Sequence, residues 1–501
     1  MRRFARNGRL VAQGRNERLV RNPAAVEAAD SGEVVPVVSA RLCLIPVEPE
    51  RYIVYAPLRR AAFIANSRTV NFLADLRGGV LDRSADPDGS LVEFLRQLEI
   101  LDAGPEDDPI TAFGGDPEPT SVTLFLTTAC NLRCTYCYAM AGDTPVRFMK
   151  LDVARRGIDF VATNAHRRGV SLFEIAYHGG GEPTLNWRTL TGSLEYARER
   201  ALALGLEVRA SAATNGVLHR RKIDWIIENL DGVSLSFDGL PEVHDRHRVT
   251  PSGRGSSEHV MHTIRRFEAA GFPYGLRMTV TADQIPFLPD SVEFICASFK
   301  PARIQVEPAY QMGRYERGES TETGEFIAAF RVAQERAARH AREISFSAAR
   351  VGTLTNHFCA VSQDSFCLSP DGNVSACYEA FSEDGPWSEV FFYGGSDANG
   401  GYRFDLERLN HLRKQAVQHR EYCRSCFARW TCAGDCYHKS LAATGELEFG
   451  GSDRCTITRE LTKDQILARI AASGGLFWHE PPADGQVVAA EKGCGCEPCE
   501  A

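Results

Sequence analysis

No stretch of this chain approaches the roughly 18 consecutive apolar residues of a membrane-spanning helix, and residues 1–22 contain no apolar core of the kind an export signal needs. Neither membrane residence nor secretion is therefore expected. Positive charge is also short: Lys and Arg total 57 against 65 Asp and Glu, a formal net charge of −8. A chain with that balance has no global basic field to gather nucleic acid or an anionic membrane. Cysteine is plentiful, with 16 residues that fall mostly in tight local groups. Without an export signal, that grouping predicts metal-binding thiols in a reducing, cytoplasmic setting rather than a disulfide framework. The length suggests about three domains.

The most crowded group is Thr128-Ala129-Cys130-Asn131-Leu132-Arg133-Cys134-Thr135-Tyr136-Cys137-Tyr138. It ends an apolar run, residues 122–128, whose residue types and length suit a buried strand. Three thiolates packed at a strand end can converge on one point, which suits an iron-sulfur cluster. Three ligands for four irons leave one iron open. A zinc knuckle, which needs a fourth ligand, and a redox C-x-x-C are the competing readings. The spacing, with Tyr136 before the last cysteine, resembles the signature of the radical S-adenosylmethionine (SAM) superfamily. That resemblance implies that Cys130, Cys134 and Cys137 hold a 4Fe-4S cluster whose open iron chelates SAM. One electron would then cleave SAM to a 5'-deoxyadenosyl radical.

Residues 1–32, Arg-rich at first and without apolar periodicity, read as a disordered basic tail; a transit peptide is the alternative. Residues 33–104 carry strand-like runs at 40–46, 52–56 and 60–64, then helix-like patterns at 67–76 and 91–98. They predict a small α+β module. In position it is similar to the winged-helix-like leader-peptide recognition domains of peptide-modifying radical SAM enzymes, with a purely structural module as the alternative. Its Cys43 reads as core. Residues 105–119, rich in Gly, Pro and Asp, read as a linker.

Between residues 120 and 345, strand-like and helix-like stretches alternate. Apolar runs at 122–127, 172–177, 207–212, 232–237, 274–280 and 303–307 are separated by helical patterns at 152–167, 187–204, 220–229, 258–270 and 288–299, and another follows at 323–342. Six β-α repeats favour parallel strands. The expected fold class is α/β, a partial (β/α)6 TIM-like barrel with functional loops at the C-terminal strand ends. At or just beyond those ends stand His178-Gly179-Gly180-Gly181-Glu182-Pro183, Thr214-Asn215-Gly216, Ser234-Leu235-Ser236-Phe237-Asp238-Gly239 and His244-Asp245-Arg246-His247-Arg248. Their order resembles that of the superfamily's SAM-binding motifs. It implies that Gly180, Gly181 and Glu182 hold the methionine amine, that Ser236 and Asp238 contact ribose or carboxylate, and that Arg248 binds the carboxylate. Asn215 and Tyr136 join the cofactor site on the same ground. His244 and His247 read as a solvated loop pair rather than metal ligands, and Cys296 as core.

Residues 346–470 hold Cys359, Cys367 and Cys377, then Cys423-x2-Cys426-x5-Cys432-x3-Cys436, then Cys455. Apart from Cys367, this resembles the seven-cysteine pattern of the SPASM domain of radical SAM maturases. Cys367 supplies an eighth thiolate. The resemblance implies two auxiliary 4Fe-4S clusters, three in all, with Cys359, Cys367, Cys377 and Cys436 on the first and Cys423, Cys426, Cys432 and Cys455 on the second. Without Cys367 the first would keep an open iron. All-cysteine zinc sites are the alternative. Residues 471–501, with Cys494, Cys496 and Cys499, read as a flexible tail, alternatively as an iron-delivering or metal-binding end.

The combined resemblance implies a radical SAM peptide maturase that takes a hydrogen atom from a ribosomally made precursor peptide or protein and forms an intramolecular crosslink. A flavodoxin- or ferredoxin-like electron donor is implied with it. Formylglycine formation is the alternative. Sulfatase-type maturases place an acid directly after the cysteine aligned with Cys377, whereas this chain has Tyr378 there and Glu379 one residue later. Tyr378 and Glu379 are the candidate bases, although surface exposure is the ordinary fate of such a glutamate. A non-catalytic iron-sulfur sensor or electron carrier would explain the cysteines but not Gly180, Gly181, Glu182, Ser236, Asp238 and Arg248.

Overall fold

The computed structural model describes residues 35–316, 318–397 and 400–478. The expected basic tail, and Cys494, Cys496 and Cys499, lie outside them.

The N-terminal module is an antiparallel meander, β1 (Cys43–Glu48), β2 (Arg51–Ala56) and β3 (Ala61–Asn66), followed by α1 (Ser67–Arg77) and α2 (Ser90–Gln97). Asn66 caps α1 by accepting from the Thr69 N–H at 3.0 Å, the ordinary device for a helix start. Phe72, Leu73 and Leu76 recur at three- and four-residue spacing on α1 and pack with Val54, Phe63 and Leu95 in one core.

The central layer follows the expected alternation: β4 (Ser121–Leu124), α3 (Leu151–Arg167), β5 (Leu172–Tyr177), α4 (Trp187–Leu204), β6 (Glu207–Thr214), α5 (Arg220–Asn229), β7 (Gly232–Ser236), α6 (Pro241–His247), α7 (Ser257–Ala269), β8 (Tyr274–Val280), α8 (Leu288–Ser298), β9 (Arg303–Pro308), α9 (Thr323–Arg339) and β10 (Ile344–Ser345). Strands β4 to β10 pair in sequence order and all in parallel. The sheet does not close on itself. On β5, Phe173, Ile175 and Tyr177 are fully buried while Glu174 and Ala176 are half-buried, the period-2 pattern of a strand with one face under helices.

The C-terminal region extends this same sheet. The short strand β11 (Cys367–Leu368) lies parallel to β4, and β12 (Asn373–Ser375), β13 (Phe392–Ser396), preceded by α10 (Ser388–Phe391), and β14 (Tyr402–Phe404) continue it antiparallel to eleven strands. Then come α11 (Leu406–Arg413), α12 (Arg429–Cys432), α13 (Tyr437–Thr444) and α14 (Asp453–Ala472), and finally β15 (Leu476–Trp478). The boundary expected at 471 falls inside an element. Ile466 and Ile470 of α14 pack against Ile53, Tyr55 and Ala62 of the first module, and β15 pairs antiparallel with β3. Among the described residues no helix is long and apolar enough to cross a membrane.

Candidate active site

Beyond β4 the chain enters a loop closed at its base. The Thr128 N–H donates to Arg147 O at 3.1 Å, and the Thr127 and Thr128 hydroxyls donate to the carbonyls of Arg147 and Pro145 at 2.7 and 2.9 Å. Two arginines tie its interior: Arg133 donates to the carbonyls of Cys130 and Leu132, and Arg314 to that of Cys134. The Thr135 N–H donates to His247 O at 2.9 Å. With the backbone so engaged, Cys130, Cys134 and Cys137 are held near one another. Burial pushes the Cys130 thiol up to about 12, with Glu182, Cys134 and Cys137 adding to the effect. Three cysteines from one loop are a donor set that would fit an iron-sulfur centre, which takes them as thiolates. Among the described residues no three His, Cys, Asp or Glu side chains are placed to hold a single metal ion, so the fit rests on this donor set.

The glycine turn after β5 runs alongside that loop. The N–H groups of Gly181 and Glu182 donate to the carbonyls of Thr127 and Ala129 at 2.9 and 2.8 Å. A Cβ at Gly181 would sit 2.0 Å from Ala129 O, so only glycine allows this approach. The buried Glu182 carboxylate accepts from the Thr184 N–H (3.2 Å), the Thr184 and Thr214 hydroxyls (2.7 and 3.0 Å) and the Asn215 N–H (2.8 Å). Burial raises its pKa, and these bonds oppose the rise without cancelling it. Glu182, expected to receive the methionine amine, brackets the ends of β5 and β6 through these bonds, and Oε2 is the oxygen with most capacity left. Asn215 carries the bracket onward, donating to Asn131 Oδ1 at 2.7 Å with its amide nitrogen 3.6 Å from Cys130 Sγ.

Asp238 and Arg248 are joined by a buried two-point ion pair, 2.8 and 3.2 Å. Asp238 also accepts from the Tyr136 hydroxyl and the Thr279 N–H, and the guanidinium lies 5.1 Å from the Tyr136 ring centroid. Burial works against ionised Asp238, but the Arg248 charge prevails and holds it below the usual carboxylate range. The aromatic residue of the cysteine motif is thereby locked to the fourth strand end. Ser236 stands beside them, half-buried at the end of β7.

The two histidines are not a solvated pair. His244 is fully buried, accepting from the Asp238 N–H through Nδ1 and meeting Ser256 Oγ through Nε2 at 3.0 Å; burial drives its pKa down to about 4. His247, also buried, bridges Thr135 Oγ1 (2.7 Å) and Asp283 Oδ2 (3.0 Å). Their sequence neighbourhood is polar, which hid the fact that α6 is a wall of the site.

The auxiliary cysteines gather as two groups. Burial pushes Cys377 far up and Cys436 to about 12, and Cys359 and Glu379 add to both. Burial pushes Cys423 to about 12, with Cys426 and Cys455 adding, and Cys432 feels the same two. Cys367, wholly buried on β11, lies 3.4 Å from Ser365 Oγ and is raised further by Cys359. Cys377 Sγ also lies 3.3 Å from His438 Nδ1. All-cysteine donors of this kind suit an iron-sulfur cluster or a zinc ion alike. Cys296 is in the core as expected and Cys43 is half-buried.

Glu379 is not at the surface. It is half-buried, and its Oε2 has no hydrogen-bond partner. Burial raises its pKa, yet Lys439, His438, Arg277 and Arg454 together hold it below the usual carboxylate range. Tyr378 stacks near His178, ring centroids 5.0 Å apart. Arg277, Lys439, His438 and Glu307 were not singled out from sequence. Arg277 and Glu307 alternate with buried apolar residues of β8 and β9, the polar half of a period-2 pattern.

Residues 124–292, which carry this arrangement, match the Radical SAM superfamily. Among its relatives is the sporulation killing factor maturation protein SkfB of Bacillus subtilis (strain 168), 24% identical over 265 residues, 52% of this chain and 60% of that protein. GTP 3',8-cyclase of Chlorobaculum tepidum is 36% identical over 130 residues, 26% of this chain and 34% of that protein. The chain thus spans less than two thirds of these curated relatives. In fold it resembles anSMEcpe, solved with bound AdoMet and a peptide, at a TM-score of 0.56 and 18% identity over 71% of this chain and 99% of that one.

Proposed function

We propose that this chain is a peptide maturase that uses SAM to start a radical on a ribosomally made precursor and closes that radical into an intramolecular crosslink. The observation that carries the reading is Glu379. An ionised carboxylate with a free buried oxygen stands two residues after Cys377, acting both on Tyr138 of the SAM-site loop and on the thiols of Cys377 and Cys436. A base so placed is suited to take the proton that the precursor's attacking atom sheds as the new bond forms. Arg277 and Lys439 keep it ionised, and His178 and Tyr378 wall the space beside it.

The clusters, held by the three SAM-site cysteines and the two auxiliary groups, would supply the reducing electron for SAM cleavage and accept the electron left after closure. Glu182, Asn215, Asp238 and Arg248 frame the SAM position. The first module serves as a docking unit. The outer strands of its sheet are β1 and β15, and β1, six residues against three, is where an extended precursor segment can add as a further strand. The maturation role of SkfB and the peptide in anSMEcpe support a peptide substrate. Tyr378, standing where sulfatase-type maturases carry their acid, favours crosslinking over formylglycine formation.

The test uses anaerobically reconstituted chain, SAM, reductant and short peptides encoded beside its gene. Wild type should release 5'-deoxyadenosine and return a peptide lighter by two hydrogens. Glu379→Gln should keep 5'-deoxyadenosine while product falls by about 100-fold or more. Unchanged product in Glu379→Gln removes the base from the mechanism, and no 5'-deoxyadenosine from wild type overturns the enzyme reading.

A further inference from the structure

One buried ionic group does more than help hold Glu379 ionised: it joins the segments that carry both auxiliary groups to β9. Arg454 lies in the first turn of α14, directly before Cys455. Its Nε donates to both oxygens of Asp435 at 3.0 and 2.9 Å, its Nη1 to Glu307 Oε2 at 3.1 Å and to the Tyr310 hydroxyl, and its Nη2 to Ser347 Oγ at 3.1 Å. The three charged side chains are 4%, 2% and 3% exposed. Asp435 directly precedes Cys436, and Glu307 lies in β9.

The segment Asp435 belongs to is unusual. Ala433, Gly434 and Asp435 have φ of +57°, +89° and +61°, three successive residues in the left-handed region that L side chains avoid. This turn separates Cys432, a member of the second group, from Cys436, a member of the first. Such backbone persists only when its surroundings hold it. Here Asp435 Oδ1 accepts from the Cys436 N–H at 2.7 Å, Arg420 donates to Gly434 O, and Arg454 clamps the Asp435 carboxylate.

We propose that Arg454 is a positioning residue for both auxiliary sites: through Asp435 it fixes the left-handed crossover that sends Cys432 to one and Cys436 to the other, and through Glu307 it registers both against the barrel. This rests on the cluster reading given under Proposed function. A charge held there also tunes what it positions. The two members of the clamp carry opposite charges, so their removal should act in opposite directions.

The test takes the full chain with Cys130, Cys134 and Cys137 all changed to Ala, so that only auxiliary clusters load, and follows iron content and spectroscopically monitored reduction potentials. The parent should hold about eight irons. Arg454→Gln should lower the potential of an auxiliary cluster, Asp435→Asn should raise it, and Arg454→Lys should restore most of the first shift. If Arg454→Gln does not fold, the sign of the Asp435→Asn shift decides. Full iron with unmoved potentials in both neutral variants, or shifts of the same sign, overturns the proposal and leaves the cluster reading standing. A parent without iron overturns the cluster reading itself.

Discussion

The SAM-site thiols come from a single eight-residue loop, whereas the auxiliary thiols come from separated segments between Cys359 and Cys455. The first loop is framed by β4, by the Gly181 and Glu182 N–H groups and by two arginines, all within a parallel sheet. The second region has four-residue helices, two- and three-residue strands and a left-handed crossover. A metal site assembled from distant loops is coupled to folding far more tightly than one seated on a finished sheet. On the proposed reading, one region could wait for its cluster, and the other would be partly made by its clusters.

The sharpest way to break that contrast is removal of a single ligand. Cys130→Ala should abolish 5'-deoxyadenosine formation, a loss of at least about 1,000-fold, and take about four irons with it, while near-native circular dichroism is retained. Cys432→Ala should cost structure as well as iron. Limited proteolysis of iron-free wild type should cut first between residues 350 and 460, leaving 121–345 protected. Cleavage inside the barrel first would reverse the comparison.

A smaller effect sharpens it. Arg248→Gln breaks a buried ion pair beside the SAM-site loop and should cost about 3–5 kcal/mol in urea denaturation. Arg147→Gln, whose pairs with Asp371 and Asp384 are exposed, should cost at most about 1 kcal/mol. The smallest effect is in pH. The folded pKa of His244, about 4, lies below its ordinary 6.5, so the unfolded chain binds the proton more readily. The stability His244 contributes is full above pH 6.5 and is lost as pH falls toward 4. Going from pH 7 to 5 should remove about 2 kcal/mol, a slope that His244→Asn flattens.

Much of this was legible from sequence because the signals were periodic or crowded. The strand patterns at 172–177 and 274–280 and the helix at 220–229 coincide with β5, β8 and α5, since alternation and 3.6-residue spacing are local properties. The cysteine trio was legible for the same reason. β11 and β12, at two and three residues, are too short to show a period, so the extension of the sheet past β4 went unread. The buried histidines of α6, the inward Glu379, and Asp435 and Arg454 were also hidden. Each looks like an ordinary surface residue until a partner hundreds or tens of positions away compensates its burial.

β15 sets an order of events during synthesis. β3 is complete by residue 66, but its outer neighbour, residues 476–478, leaves the ribosome only after every cluster ligand in the described chain has been made. The first sheet therefore spends nearly the whole of translation with a bare edge, the exposed state most open to strand pairing with other chains. Closure of that edge reports that the cysteine-bearing segments are already present.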